Sequence, residues 1–286
     1  GLVVSEDGQR KVKLLNAGEN PPNGAAVTYA VNGADSERVS LTFLTAGGRE
    51  IRRFSSADAD GPGKQLAKSP GVHRFVWDLR YPEATKLENT ALSAYWGGST
   101  IGPEVVPGTY QVRLDVDGQT ATEQFAVVED PRSGAGQQDL QAQFDLLLAI
   151  RDRLTEVHEA VVRSRRSRQQ LGEWQGRLRA AEKDDLAEEA KRVSDRLLEA
   201  ENELVESRSR GRADSFNYPP KVNSKLASLQ STVAWGHSRP PQQCYEVFDM
   251  LSGQAGEGLA RLQGVFDTEV AGFNRQLVES GVPVVG

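Results

Sequence analysis

Asp130-Pro131-Arg132-Ser133-Gly134-Ala135-Gly136 separates two stretches of sequence whose hydrophobic periods differ. Before it, Thr109-Tyr110-Gln111-Val112-Arg113-Leu114-Asp115-Val116 alternates apolar and polar residues, Asp117-Gly118 supplies a turn, and Thr120 to Val128 returns. A period of two places successive side chains on opposite faces of a strand. After it, Leu140, Phe144, Leu147, Ile150, Leu154, Val157 and Val161 step by four and three, which is the seam of an amphipathic helix. The run itself has the Pro, Gly and Ser content of a linker.

Working outward, Ala25 to Val31, Val39 to Leu44, Glu50 to Phe54 and Val72 to Leu79 are short runs rich in β-branched and aromatic residues. Asn32-Gly33 and Gly47-Gly48 punctuate them, because glycine accepts the positive φ of a tight turn. Short strands with no helical period between them predict an antiparallel sandwich. The stretch 81–107, with Tyr95-Trp96-Gly97-Gly98, breaks the rhythm, and loops of that length are often functional. On the other side, Leu186, Ala190, Val193, Leu197, Ala200 and Leu204 form a second helical seam. Val222, Leu226, Leu229 and Val233 form a third, and Leu259, Leu262, Phe266, Val270, Phe273 and Leu277 a fourth. Gly172 and Gly176 lie near the first break, Gly211 follows the second helix, and Tyr218-Pro219-Pro220 precedes the third. Pro240-Pro241 opens the fourth. The expectation is an all-β domain, 1–129, a linker, 130–136, an antiparallel up-and-down four-helix bundle, 137–280, and a tail, 281–286.

Length and composition suit two soluble domains: 286 residues, 38% hydrophobic and 26% charged. A net charge of −6 argues against a general nucleic-acid partner, which needs a basic surface. No apolar run approaches the roughly 20 residues that span a bilayer. The lone Cys244 cannot form an internal disulfide or a CxxC motif. Gly1-Leu2-Val3-Val4 is too short for the apolar core of a secretory signal, which fits a cytoplasmic protein, a mature exported one or a fragment.

The residues that could carry chemistry are scattered. His73, His158 and His237 each lack a second ligand at i+3 or i+4, so none starts a zinc site. There is no GxSxG elbow and no GxGxxG, and Gly61-Pro62-Gly63-Lys64 lacks the second half of a phosphate loop. Asp58-Ala59-Asp60-Gly61 opens like a Ca²⁺ loop, but the further oxygens and distal glutamate are not in register. The expectation is therefore no catalytic residue, no cofactor and no metal. Two features suggest interaction instead: Tyr95 and Trp96 in the long loop, and the basic run Arg163, Arg165, Arg166 and Arg168. Those arginines either pair with Glu182, Asp184, Asp185, Glu188 and Glu189 on the next helix or form a docking patch for an acidic partner or lipid head groups.

Several motifs carry a resemblance. Asn20-Pro21-Pro22-Asn23-Gly24-Ala25, Gly71-Val72-His73-Arg74-Phe75-Val76-Trp77-Asp78-Leu79-Arg80-Tyr81-Pro82 and Val106-Pro107-Gly108-Thr109-Tyr110 resemble the C-terminal region of large exported bacterial proteins. Those proteins carry sortilin-like or BNR-repeat propellers and are often labelled glycosyl hydrolases. Asp139-Leu140-Gln141-Ala142-Gln143-Phe144-Asp145, Asn217-Tyr218-Pro219, Asn223-Ser224-Lys225-Leu226 and Tyr245-Glu246-Val247-Phe248 extend the likeness over nearly the whole chain. The strand motif also resembles the Ig-like module of flagellar hook-capping proteins, which implies an Ig/FnIII-like sandwich. No Asp-box of the propeller occurs; Ser5-Glu6-Asp7-Gly8 is at most a remnant. Hydrolase activity would belong to the propeller, so the likeness carries over no catalytic residue.

What it implies is a periplasmic or extracellular setting. The resulting expectation is a non-enzymatic scaffolding protein, a peripheral subunit on the outer face of a membrane complex, such as a respiratory or photosynthetic one. The alternatives are an accessory module of a propeller hydrolase, or a carbohydrate-binding module that uses Tyr95 and Trp96.

Overall fold

Alternation in the first part of the chain becomes strands, and the seams of the second part become helices. The computed structural model describes residues 2–4, 10–12, 22–32, 36, 38–57, 65–88, 90, 92, 98–209, 214 and 216–282. The strands among them are β1 (Leu2–Val4), β2 (Arg10–Val12), β3 (Ala25–Val31), β4 (Val39–Thr45), β5 (Glu50–Ser55), β6 (Gly71–Trp77), β7 (Gly108–Val116) and β8 (Gln119–Val127). β1 pairs with β2, and β3 pairs antiparallel with β6 from Ala25↔Trp77 to Val31↔Gly71. The remaining four form a sheet in the order β5-β4-β7-β8. Its two hairpins turn at Gly47-Gly48 and at Asp117-Gly118, where φ is 51° and 88°, the left-handed pair that a two-residue hairpin needs. Gly24 is required by proximity as well as by its φ of 138°: a Cβ there would lie 2.0 Å from the Trp77 carbonyl oxygen.

The chain forms two compact units. One comprises 1–42, 53–79 and 113–122, and the other 43–52, 80–112 and 123–286. In the first, Tyr29, Val31, Leu41, Phe54, Phe75 and Trp77 are buried, and the Phe54 and Phe75 rings meet at 4.7 Å. Residues 80–112 fall in the same unit as the helices, together with residues 43–52 of the β4–β5 hairpin and 123–127 of β8.

The helices are α1 (Gln137–Ala180), α2 (Asp184–Leu204), α3 (Val222–Val233), α4 (Gln242–Val265) and, after one π-helical turn (Phe266–Val270), α5 (Ala271–Glu279). None of the described helices is long and apolar enough to cross a membrane. Their seams close on one another: Ile150, Leu154, Val157, Val161, Leu178, Val193, Leu197, Leu204, Leu226, Leu262 and Phe273 belong to a single buried cluster. At 44 residues, α1 runs for about 66 Å.

Side-chain contacts fix the directions. Going up α2, Glu188 meets Arg179 and Glu201 meets Arg165, so α2 is antiparallel to α1. Going up α3, Asn223 lies by His158, and the Val233 carbonyl accepts from Gln143, so α3 is antiparallel to α1 as well. Arg239 meets Asp139 and Gln263 meets Arg163, so α4 is parallel to α1. The strict up-and-down alternation of four helices is therefore not what forms. α2 and α3 point the same way and follow one another, giving three columns: α1, then α2 with α3, then α4 with α5. In the middle column α2 ends at Leu204, where Val205 turns extended, and α3 begins at Val222, after Pro219-Pro220, which disfavour helix.

Gly172 and Gly176 do not end the first helix. Leu171 and Leu178, one heptad apart, stay buried and carry α1 to Ala180. The stop is a Schellman turn: the Lys183 N–H donates to the Leu178 carbonyl at 2.9 Å and the Glu182 N–H to that of Arg179 at 3.1 Å. Glu182 holds the left-handed position, at φ 57°, where glycine is normally found. Glu182→Gly should therefore raise the unfolding free energy by about 1 kcal/mol, read from denaturant midpoints at unchanged m.

Candidate functional site

The break in the middle helical column is where the remaining polar chemistry of the second unit collects. Residues 80–88 lead away and 98–104 return, and the two limbs of this excursion meet at a closed neck. Arg80 pairs with Glu104 at 3.1 Å, the Tyr81 N–H donates to Pro103 at 3.0 Å, and the Ala84 N–H donates to Thr100 at 2.8 Å. Gly102 permits this neck, because a Cβ there would lie 2.0 Å from the Tyr81 carbonyl oxygen. The outward limb runs along α1. Tyr81 stacks on Phe144 at 5.2 Å, Arg151 donates to the Pro82 carbonyl at 3.1 Å, and the Thr85 N–H reaches Thr155 Oγ1 at 3.4 Å. The return limb runs along α3, where the Ser99 N–H donates to the Ala227 carbonyl at 3.0 Å and Gln230 donates to the Ile101 carbonyl. Gly98 lies so close to α3 that its Cβ would come within 2.8 Å of that of Ala227.

Two buried ionisable side chains hold the far end of this excursion. His158 is 1% exposed and its Nδ1 contacts the Thr85 carbonyl oxygen. A carbonyl only accepts, so Nδ1 carries the proton and Nε2 is an acceptor, 3.4 Å from the Asn223 amide nitrogen. Burial pushes the His158 pKa below the ordinary imidazole value, opposed by the Thr85 hydrogen bond and helped by the nearby Arg165 charge. Glu201, also 1% exposed, accepts from Arg165 Nε at 2.8 Å, Ser164 Oγ at 3.2 Å and Arg168 Nη1 at 3.3 Å. The Arg165 fork is then completed by the excursion: Nη1 donates to the Glu88 carbonyl at 3.0 Å and Nη2 to Thr90 Oγ1 at 2.9 Å. One guanidinium thus ties the end of α2 to the 80s segment.

Between the excursion, α1 and the first turn of α3 lies a cavity of about 360 Å³, lined by Lys86, Leu87, Thr90, Leu92, Gly98, Thr100, His158 and Asn223. Asn223 is buried and its Oδ1 has no hydrogen-bond partner.

The four arginines singled out from sequence do not act together. Arg165 and Arg168 turn inward to Glu201. Arg163 lies over the Phe266 ring at 3.9 Å and donates to Gln263. Arg166 is exposed and makes no ion pair among the described residues. The expected acidic partners, 182–189, sit too near the α1–α2 turn to reach them. In an antiparallel pair, residues equidistant from the turn face one another, so Arg179 takes Glu188 while Arg165 finds Glu201. Tyr95, Trp96, Asp58-Ala59-Asp60-Gly61, Gly63-Lys64, Ser5-Glu6-Asp7-Gly8, Gly33 and Gly211 lie outside the described residues, as does 283–286 of the tail. His73 contacts the Ser69 carbonyl at 2.7 Å, far in sequence from His158. Among the described residues, no three His, Cys, Asp or Glu side chains gather as a metal site would require.

Sequence reasoning missed Glu201 and the part His158 plays. Spacing held the signal: Leu154, His158, Val161 and Arg165 fall on one helical stripe, and Glu201 follows Leu197 by four. No protein-family model, curated protein or solved structure matches the chain.

Two outcomes follow from this chemistry. Glu201→Ala strands two arginines against a desolvated wall; it should cost about 3–5 kcal/mol in denaturant unfolding and open the chain to trypsin at Lys86 under native conditions. His158 binds a proton less readily folded than unfolded. Its contribution is therefore fully present above the ordinary value of 6.5 and falls as the pH drops below it. Subtracting the stability-versus-pH curve of His158→Gln from that of the parent should isolate this slope.

Proposed function

We propose that this chain is a non-enzymatic extracytoplasmic scaffold, a peripheral subunit on the outer face of a membrane-protein complex such as a respiratory or photosynthetic one. The observation that carries the reading is Trp235, which is 87% exposed at the turn between α3 and α4. Tryptophan in that state is expensive to leave in water and is the residue type most enriched at interface hot spots. Val278, in α5, is 80% exposed, so the helical columns carry large apolar groups at widely separated points.

The use of the buried charges supports the same reading. His158, Arg165 and Glu201 fasten one part of the chain to another, which stiffens the unit that would bear a partner. We read the strands as an Ig/FnIII-like sandwich joined to a helical bundle. Tyr110 favours this, since its hydroxyl donates to the Val106 carbonyl at 2.7 Å, as the tyrosine corner of such sandwiches does. The sortilin-like propeller proteins remain the proposed kin, and an exported location goes with them.

Native protein recovered from gently solubilised envelopes should carry a fixed set of membrane-complex subunits, identified by mass spectrometry. Trp235→Ala should weaken that association by roughly tenfold or more while leaving the melting temperature unchanged, because the side chain touches little of its own fold. Recovery of the parent chain alone, as a monomer, would overturn the reading.

A further inference from the structure

We infer that the cavity lined by Lys86, Leu87, Leu92, Thr100, His158 and Asn223 binds a neutral, hydroxyl-rich small molecule of about the size of one sugar ring. At about 360 Å³ it falls within the range of roughly 300–1,000 Å³ that small-molecule sites occupy. The side chain that defines the site is Asn223, 1% exposed, whose Oδ1 faces no donor while its nitrogen is directed at His158 Nε2. His158 fixes this orientation: with its own proton on Nδ1 toward Thr85, Nε2 can only accept, so the amide must present its nitrogen there. The acceptor oxygen is what remains for an occupant, and the occupant must bring a donor.

Charge excludes the ionic classes. Lys86 is neutralised by Glu83 at 2.7 Å, and the second oxygen of that carboxylate accepts from Thr100 at 3.3 Å. Burial favours the neutral form of His158, and no carboxylate lines the cavity among the described residues. An anion would find no uncompensated cation here, and a cation no counter-charge. The Thr90 hydroxyl proton is already given to the Glu88 carbonyl at 3.4 Å and that of Thr100 to Glu83, so both threonines have only lone pairs to offer. Lys86 keeps spare ammonium protons. A group that both donates and accepts satisfies Asn223, the threonines and Lys86 at once, and that group is a hydroxyl. Leu87 and Leu92 supply apolar wall for a ring's C–H face.

This inference does not depend on the scaffold reading. The test is a titration of the full chain with methyl α-D-glucopyranoside, methyl α-D-galactopyranoside, methyl α-D-mannopyranoside and myo-inositol, followed by NMR. At least one should produce saturable shifts at the Asn223 side-chain amide and the Leu87 and Leu92 methyls. Asn223→Leu, which removes the acceptor at similar volume, should weaken binding by about tenfold or more. Should that variant fail to fold, Leu87→Trp carries the test: Leu87 is only half-buried, and an indole there blocks the cavity from its rim. Shifts that persist unchanged in Leu87→Trp would place binding elsewhere and overturn the assignment. So would the absence of saturable shifts with all four compounds, which would mean that the cavity holds solvent only.

Discussion

A carboxylate with almost no access to water has to be met by donors on every side, and Glu201 is met by three. Desolvating the carboxylate is costly, and hydrogen-bond partners around it and the two guanidinium groups offset that cost, with only Arg168 Nε left buried and without a partner in the cluster. Some of those partners lie outside the helices. Arg165 satisfies Glu201 with one edge of its fork and the Glu88 carbonyl and Thr90 with the other. Packing of α1 on α2 is thereby coupled to the path of a segment more than seventy residues upstream. Removing any member leaves a buried charge behind, so the group holds together as one unit.

The three-column arrangement explains why such a tie is needed. A middle column made from two helices in series has a joint, and the joint exposes the last carbonyls of α2 and the first N–H groups of α3. At this joint the Val205 N–H donates to the Glu201 carbonyl at the end of α2, and Lys221 gives α3 no side-chain cap. Residues 82–85 lie along α1 and 99–101 along α3, and the Glu88 carbonyl and Thr90 hydroxyl meet Arg165 beside Glu201. The cavity beside them combines a buried amide, a buried imidazole and leucine walls.

Much of this was legible residue by residue. Ile150, Leu154, Val157 and Val161 read as a seam and are fully buried, and Thr109 to Val116 alternates and forms β7. Asp117-Gly118 reads as a turn and has the φ values of one. The glycines at 172 and 176 misled, because a helix-breaking residue costs only about 1 kcal/mol on an exposed face and Leu171 and Leu178 outweigh it. The direction of α3 was not legible, since seams give no sense of travel; that depends on what Asn223 and Gln143 reach across the core. The candidate site was the least visible part. His158 read only as a histidine without a second ligand and Arg165 as part of a surface charge run, because polarity was read one residue at a time, whereas their spacing from Leu154 already put them on the buried stripe. Glu83 to Thr100 has no hydrophobic period in sequence, so the path of its described residues follows from hydrogen bonds that only the folded helices can offer.

The central claim is that residues 80–88 and 98–104 are an integral part of the helical unit, held by hydrogen bonds to α1 and α3. Native-state hydrogen exchange, read at single-residue resolution, tests it most directly. The amides of Tyr81, Ala84 and Ser99, which donate to Pro103, Thr100 and Ala227, should exchange as slowly as those of the α3 interior and through the same opening. Exchange of these three amides at the rate of an unstructured chain, with α3 still protected, would contradict the account.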